Sequence, residues 1–134
     1  MDNTELAYAA GFFDGEGCVG IKVEKRKRPC YSPYATVSQI RPEVLIWMRE
    51  RFGGSIRFND KSGKNGIWTL WLSSRMALEM MRSLRPYLRI KAAEVDLILE
   101  AFARKTVDCK AGVPDDIQEL RRTNMSKVVA LRRV

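Results

Sequence analysis

Two carboxylates, Asp14 and Glu16, stand two residues apart at the end of the stretch Ala-Tyr-Ala-Ala-Gly-Phe-Phe-Asp-Gly-Glu-Gly that runs from Ala7 to Gly17. Paired oxygen ligands of this kind suit a hard divalent cation. Ala7, Gly11 and Gly15 recur every fourth residue, which on a helix makes one bald stripe where a second helix can lie backbone to backbone. The acids then fall at the helix C-terminus, where the macrodipole disfavours negative charge by a few tenths to about 1 kcal/mol each. A bound cation reverses that penalty. Histidine is absent from all 134 residues, which excludes Ser-His and Cys-His nucleophile systems and imidazole-based zinc sites. Hydrolytic chemistry here must run on carboxylates, lysines and activated water.

The charge distribution indicates what the site faces. Residues 1 to 20 hold Asp2, Glu5, Asp14 and Glu16 and no base, while the whole chain carries +8, so the remainder carries +12. A basic body with an acidic first helix points to a polyanion, with nucleic acid ahead of an anionic membrane surface. No long apolar run and no signal peptide is evident, and the chain reads as soluble and intracellular. Its length and 46% hydrophobic content predict one domain spanning 1–134, with a core over about 4–104 and a basic helical tail over about 114–134. Cys18, Cys30 and Cys109 are odd in number and irregularly spaced, and they read as reduced thiols.

The elements that must position the acids follow from periodicity. Val19, Ile21 and Val23 alternate with polar neighbours, predicting a strand over Cys18 to Glu24, and a second alternating strand runs from Tyr34 to Ile40. Between them lies a basic hairpin, Lys25-Arg26-Lys27-Arg28. Pro42 opens a helix carrying Val44, Leu45, Met48 and Phe52, which Gly53-Gly54 stops. Strands over Ser55 to Asn59 and Ile67 to Leu72 flank a turn-forming stretch from Asp60 to Gly66, with Ile56, Phe58, Trp68, Leu70 and Leu72 facing inward. Helices follow over about Ser74 to Leu84 and, beyond Pro86, over about Lys91 to Arg104, before a linker near Lys110 to Pro114 and the tail helix.

The fold class is therefore α+β, with an antiparallel sheet built from hairpins. One sheet face packs on helices, and Lys22, Glu24, Arg26, Thr36, Ser38, Arg57, Asn59, Thr69 and Trp71 line the other. A curved polar strand surface of this width can enter a DNA major groove.

The nine residues from Ala9 to Gly17 resemble the signature helix of the LAGLIDADG homing endonucleases. The resemblance extends to the basic hairpin, to Gln39 at the end of the second strand and to Arg85-Pro86-Tyr87-Leu88-Arg89-Ile90-Lys91, and it covers residues 5 to about 104. It implies an αββαββα domain with a curved four-stranded antiparallel sheet, and a single-motif homodimer whose signature helices pack on the two-fold axis through Ala7, Ala10, Gly11 and Gly15. It further implies that Glu16, aided by the Gly15 carbonyl, binds metal, that Asp14 caps or orients the turn, and that Gln39 and Lys91 position water and stabilise phosphate charge, with Arg89 a weaker candidate. Mg²⁺ is the implied cofactor, with Mn²⁺ able to substitute and Ca²⁺ supporting binding without cleavage. Two Glu16 carboxylates about 4 Å apart repel by roughly 4 kcal/mol at an effective dielectric near 20, so such a dimer needs cations between them.

The implied activity is a metal-dependent double-strand break in a long, pseudo-palindromic DNA target. The implied partners are double-stranded DNA and a second copy of the chain, without membrane or small-molecule cofactor. Ala9 replaces the usual leading leucine, Glu16 stands where aspartate is commoner, and Glu43 lies near where a second basic residue belongs, a place Arg41 can fill only if the strand end is shifted. The alternative is a non-cleaving nucleic-acid-binding protein on the same scaffold, either a DNA-binding regulator or an intron RNA-splicing maturase. Lys22, Lys25, Arg26, Lys27 and Arg28, with Arg121, Arg122, Arg132 and Arg133 in the tail, are expected to contact phosphates and make binding salt-dependent.

Overall fold

The structure is a computed structural model that describes residues 1–60, 66–104 and 112–132. The stretch Lys61 to Asn65, Cys109, Lys110 and Arg133, each assigned a place above, lie outside the described residues. The chain runs through α1 (Asn3–Glu16), β1 (Gly17–Glu24), β2 (Cys30–Gln39), α2 (Glu43–Phe52), β3 (Ser55–Asn59), β4 (Ile67–Ser73) and α3 (Ser74–Leu84). A 3-10 turn (Arg85–Tyr87), α4 (Ala92–Ala101) and α5 (Asp115–Arg132) follow. The four strands form one antiparallel sheet in the order β1-β2-β4-β3, as the hairpin pattern requires.

Each element begins and ends for a local reason. The Asp2 carboxylate accepts from the Glu5 N–H at 2.8 Å and caps α1. α2 stops at Gly53 and Gly54, whose φ values of 87° and 101° lie in the left-handed region. β2 begins four residues earlier than the alternation from Tyr34 predicts. Pro33 pairs only with Ile21 of β1, because pairing with β4 begins at Tyr34, so its missing N–H breaks no ladder bond on the other side.

The core lies between the sheet and the helices. Phe13, Val19, Val37, Leu45, Met48, Leu70, Leu72, Met80, Met81, Leu84, Val95 and Ile98 are fully buried. Phe58 corrects the inward assignment made for it: it shares the Trp68 face and packs on that ring at 4.7 Å, yet is 50% exposed because it sits near the end of edge strand β3. Cys30 is disulfide-bonded, which corrects the reading of three reduced thiols, whereas Cys18 is free. Spacing alone could not reveal this, since pairing depends on where the fold brings the Cβ atoms.

α5 corrects the boundary drawn at about 104. Ile117 and Val128 are buried, and Val128 belongs to the main core. The helix lies along the open edge of β1, pinned at both ends: Arg28 of the hairpin reaches Val113 O and Asp115 near its start, and Arg132 in its last turn reaches Val19 O. Gln118 Nε2 also donates to Pro29 O at 2.7 Å. The unpaired edge of an outer strand is thereby covered, which removes a template for strand addition.

Candidate active site and nucleic-acid face

The end of α1 is tied to the start of α4 through Asp14. Its carboxylate accepts from the backbone N–H groups of Arg89 at 2.8 Å, Ile90 at 3.2 Å and Lys91 at 3.0 Å. Lys91 Nζ donates in return to the Asp14 carbonyl at 2.8 Å. An anion thus sits on the N-terminus of α4 and a cation on the C-terminus of α1, each where the helix dipole favours it. The penalty of an acid at a helix C-terminus, apparent from sequence, is removed by a neighbouring helix 77 residues away.

Glu16 is left for other work. It is exposed, and its carboxylate makes no hydrogen bond or ion pair among the described residues. The adjacent Gly15 is exposed in the last turn of α1, where carbonyls lack helical partners. Among the described residues no group of three His, Cys, Asp or Glu side chains could hold a metal within one chain.

Gln39 ends β2, and its Oε1 accepts from the Ile40 N–H at 2.8 Å. Because Gly17 pairs with Val37, Glu16 and Gln39 leave the same end of the sheet. Arg89 contributes its backbone N–H to the Asp14 cap, and its side chain is exposed. Arg41 and Glu43 pair with each other at 2.9 Å at the surface, which raises the guanidinium pKa and lowers the carboxyl pKa.

The small-residue stripe is open. Ala7, Gly11 and Gly15 are exposed along one side of α1, and a Cβ added at either glycine would meet nothing within 4 Å. Ala10 does not belong to this stripe: it is 0% exposed, turned with Ala9 and Phe13 into the chain's own core, because the step of about 100° from Gly11 carries it round to the core side of the helix. Tyr8 lies beside the stripe, exposed, with its ring edge-on to Trp47 at 5.5 Å.

Strand register places the outward face. Lys22, Glu24, Thr36, Ser38, Arg57, Asn59, Thr69 and Trp71 share it, through the pairs Lys22 with Ser32, Thr36 with Trp71, Ser38 with Thr69, Arg57 with Thr69 and Asn59 with Ile67. Ser38 and Thr69 join hydroxyls at 2.9 Å across the strands. Arg26 is corrected: it lies in the turn between β1 and β2 and pairs with Glu24 at 2.8 Å. Lys25 and Lys27 are exposed in the same turn, whereas Arg28 is drawn to α5 as described. Tyr34 belongs to the face by register but was missed; its place two residues before Thr36 was the available signal.

Two of the tail arginines expected to contact phosphate, Arg121 and Arg132, are engaged within the fold. Arg121 is 4% exposed, donates from Nε to Ala101 O at 3.2 Å and lies over the Phe102 ring at 4.3 Å; burial lowers its pKa. Arg122 pairs with Glu119, and Arg132 reaches Val19 O and the Tyr34 hydroxyl.

No protein-family model and no curated protein matches the chain. Solved structures do. The homing endonuclease I-CvuI, in complex with a DNA target in the presence of Mg, superposes with a TM-score of 0.77 at 21% identity over 96% of this chain and 82% of that one. The archaeal intron-encoded homing endonuclease I-Vdi141I, complexed with DNA, gives a TM-score of 0.77 at 13% identity over 98% and 86%. The LAGLIDADG meganuclease I-AabMI, bound to uncleaved DNA, gives 0.61 at 23% identity, with this chain covering 43% of its length. The architecture derived above is the fold of the LAGLIDADG homing endonucleases. No described helix is long and apolar enough to cross a membrane.

Proposed function

From that fold as premise, we propose that the chain is a divalent-metal-dependent DNA endonuclease acting as a homodimer, with Glu16, Gln39 and Lys91 as its catalytic residues. The observation that carries this reading is the open stripe of Ala7, Gly11 and Gly15 ending at a Glu16 that is unpaired among the described residues, two residues beyond the joint of Asp14 with Lys91. Glycine inside a helix costs roughly 0.5–1 kcal/mol relative to alanine, and nothing among the described residues requires its small size at Gly11 or Gly15. A second α1 lying on the stripe gives both glycines a purpose, and the contact is isologous. That packing brings the two Glu16 carboxylates together at the axis.

The donor set fits a hard cation: a free carboxylate at Glu16 and a helix-end carbonyl at Gly15 are oxygen ligands of the type Mg²⁺, Mn²⁺ and Ca²⁺ prefer. A bound divalent ion supplies neutralisation of phosphate charge and makes water a better nucleophile. The chain's own groups do the rest. Lys91, its ammonium fixed against the Asp14 carbonyl, offers positive charge to the developing phosphorane, and Gln39 orients water through its amide. The outward sheet face, with Lys22, Glu24, Thr36, Ser38, Arg57, Asn59, Thr69 and Trp71, lies in the major groove, and Lys25, Arg26 and Lys27 reach phosphates. Both strands are cut, one per active site, in a long pseudo-palindromic target.

The test is selection of bound duplexes from a random DNA library by the full chain in Ca²⁺, followed by exchange into Mg²⁺. Double-strand breaks a few bases apart near the centre of a pseudo-palindrome support the reading. Tight, specific binding with intact DNA in Mg²⁺ and Mn²⁺ overturns catalysis in favour of a DNA-binding regulator, and failure to enrich any duplex moves the scaffold toward RNA.

A further inference from the structure

We propose that Tyr34 and Trp71 form a fixed aromatic step that reads the C5-methyl group of a thymine, with Arg132 as its positioning residue. The inference rests on the nuclease reading, in which the outward sheet face meets DNA.

Trp71 is 42% exposed on a face whose other side chains are largely polar. Its ring stands 6.3 Å from that of Tyr34, the planes tilted by 39°. Tyr34 is held in turn: Arg132 Nη2 donates to its hydroxyl at 3.3 Å and also to the Val19 carbonyl of edge strand β1. Gly20 provides the room, since a Cβ there would stand 2.5 Å from Arg132 Nη2 and 2.6 Å from Tyr34 Oη. Three positions on three elements, Gly20 in β1, Tyr34 in β2 and Arg132 in α5, thus converge on placing one ring, and that ring flanks Trp71.

The chemistry of the step selects its ligand. Hydrogen-bond donors and acceptors on base edges are served by the neighbouring Lys22, Thr36, Ser38, Arg57 and Thr69 on the same face. The Tyr34 hydroxyl is engaged with Arg132, so the pair offers chiefly apolar ring surface. The thymine methyl is the apolar group that base edges present in the major groove. Rings fixed before binding lose little freedom on contact, which favours discrimination over mere adhesion. Arg132 touches no base and acts through Tyr34.

The test uses full-length protein and a duplex enriched in Ca²⁺, with each thymine replaced singly by uracil, which removes only the C5-methyl. The expected result is one position in each half-site where uracil weakens binding about four-fold, the worth of burying one methyl. Trp71→Ala makes thymine and uracil duplexes bind equally at that position. Tyr34→Phe, which keeps the ring and releases Arg132, lowers the thymine-to-uracil ratio there and leaves preferences elsewhere in the target unchanged. A purely structural role weakens both duplexes alike, preserves the ratio and overturns the proposal. So does tolerance of uracil at every position by the unaltered protein, a measurement that depends on no variant folding. If no duplex is enriched at all, the DNA-nuclease reading fails and takes this inference with it; an enriched duplex indifferent to uracil defeats this inference alone.

Discussion

Asp14 and Lys91 each close the other's helix. The Asp14 carboxylate accepts the Lys91 backbone N–H at 3.0 Å at the start of α4, and Lys91 Nζ donates to the Asp14 carbonyl at 2.8 Å at the end of α1. The joint therefore fixes a candidate catalytic ammonium relative to Glu16, two residues along from Asp14. Replacing Asp14 with alanine leaves the N–H groups of Arg89, Ile90 and Lys91 without this acceptor, an expected loss of about 1–2 kcal/mol in chemical denaturation. Cleavage should fall further than stability explains, on the order of 100-fold, because Lys91 is displaced from its working position.

Glu16→Gln keeps the side chain's size and removes its charge. Cutting in Mg²⁺ is expected to drop by about 1000-fold or more, since a neutral amide is a poor ligand for a hard cation. Binding in Ca²⁺-free buffer should hold or tighten, because the repulsion between paired carboxylates is gone. Undiminished cutting by the variant on a gel assay removes Glu16 from the mechanism.

Gly11 separates the chain's own needs from those of the dimer. Its added Cβ meets nothing within 4 Å, so Gly11→Ala should stabilise the isolated fold by roughly 0.5–1 kcal/mol. Gly11→Leu should leave the fold intact by circular dichroism yet shift sedimentation equilibrium to monomer and abolish cleavage. A dimer that persists in Gly11→Leu places the two-fold axis elsewhere.

Asp96 gives a pH dependence with a definite sign. Its carboxylate takes two bonds from Arg85, at 2.5 Å and 2.8 Å, and that pairing lowers its pKa below the ordinary value. A depressed folded-state carboxyl contributes stability that is present above the unfolded pKa, about 3.9, and lost as pH falls through the lower folded value. Denaturation midpoints of the wild type and Asp96→Asn should therefore differ at pH 7 and converge in acid below about pH 4. A gap that stays constant with pH rules the ion pair out as its source.

Arg121 tests whether the tail serves the fold or the nucleic acid. With its guanidinium over Phe102 and bonded to Ala101 O, Arg121→Ala is expected to cost about 1–3 kcal/mol by loosening α5 from α4. The salt dependence of DNA binding should be unchanged, whereas Lys25→Ala, which removes one phosphate contact from each protomer, should reduce its slope by about two. A reduced slope in Arg121→Ala returns that arginine to the phosphate contacts.

The elements of this protein were legible because each is written in local residue order. Alternation at Val19, Ile21 and Val23, the stop at Gly53-Gly54 and the break at Pro86 all correspond to observed boundaries within a few residues. The same alternation placed Lys22, Thr36, Arg57 and Trp71 on one sheet face, since a strand's side chains have a period of two wherever it lies. Only the tertiary structure decided which of several equivalent groups are engaged. Arg121 and Arg132 read from sequence as two more positive charges, yet the first is buried against Phe102 and the second holds Tyr34. Ala10 and Gly11 are adjacent small residues, yet one faces the core and the other open space. Asp14 and Glu16 are two acids in one turn, and α4 takes the first and leaves the second free. Sequence fixes what a residue can offer through its chemistry and local period. What it is spent on depends on contacts between segments far apart in the chain, which no local pattern records.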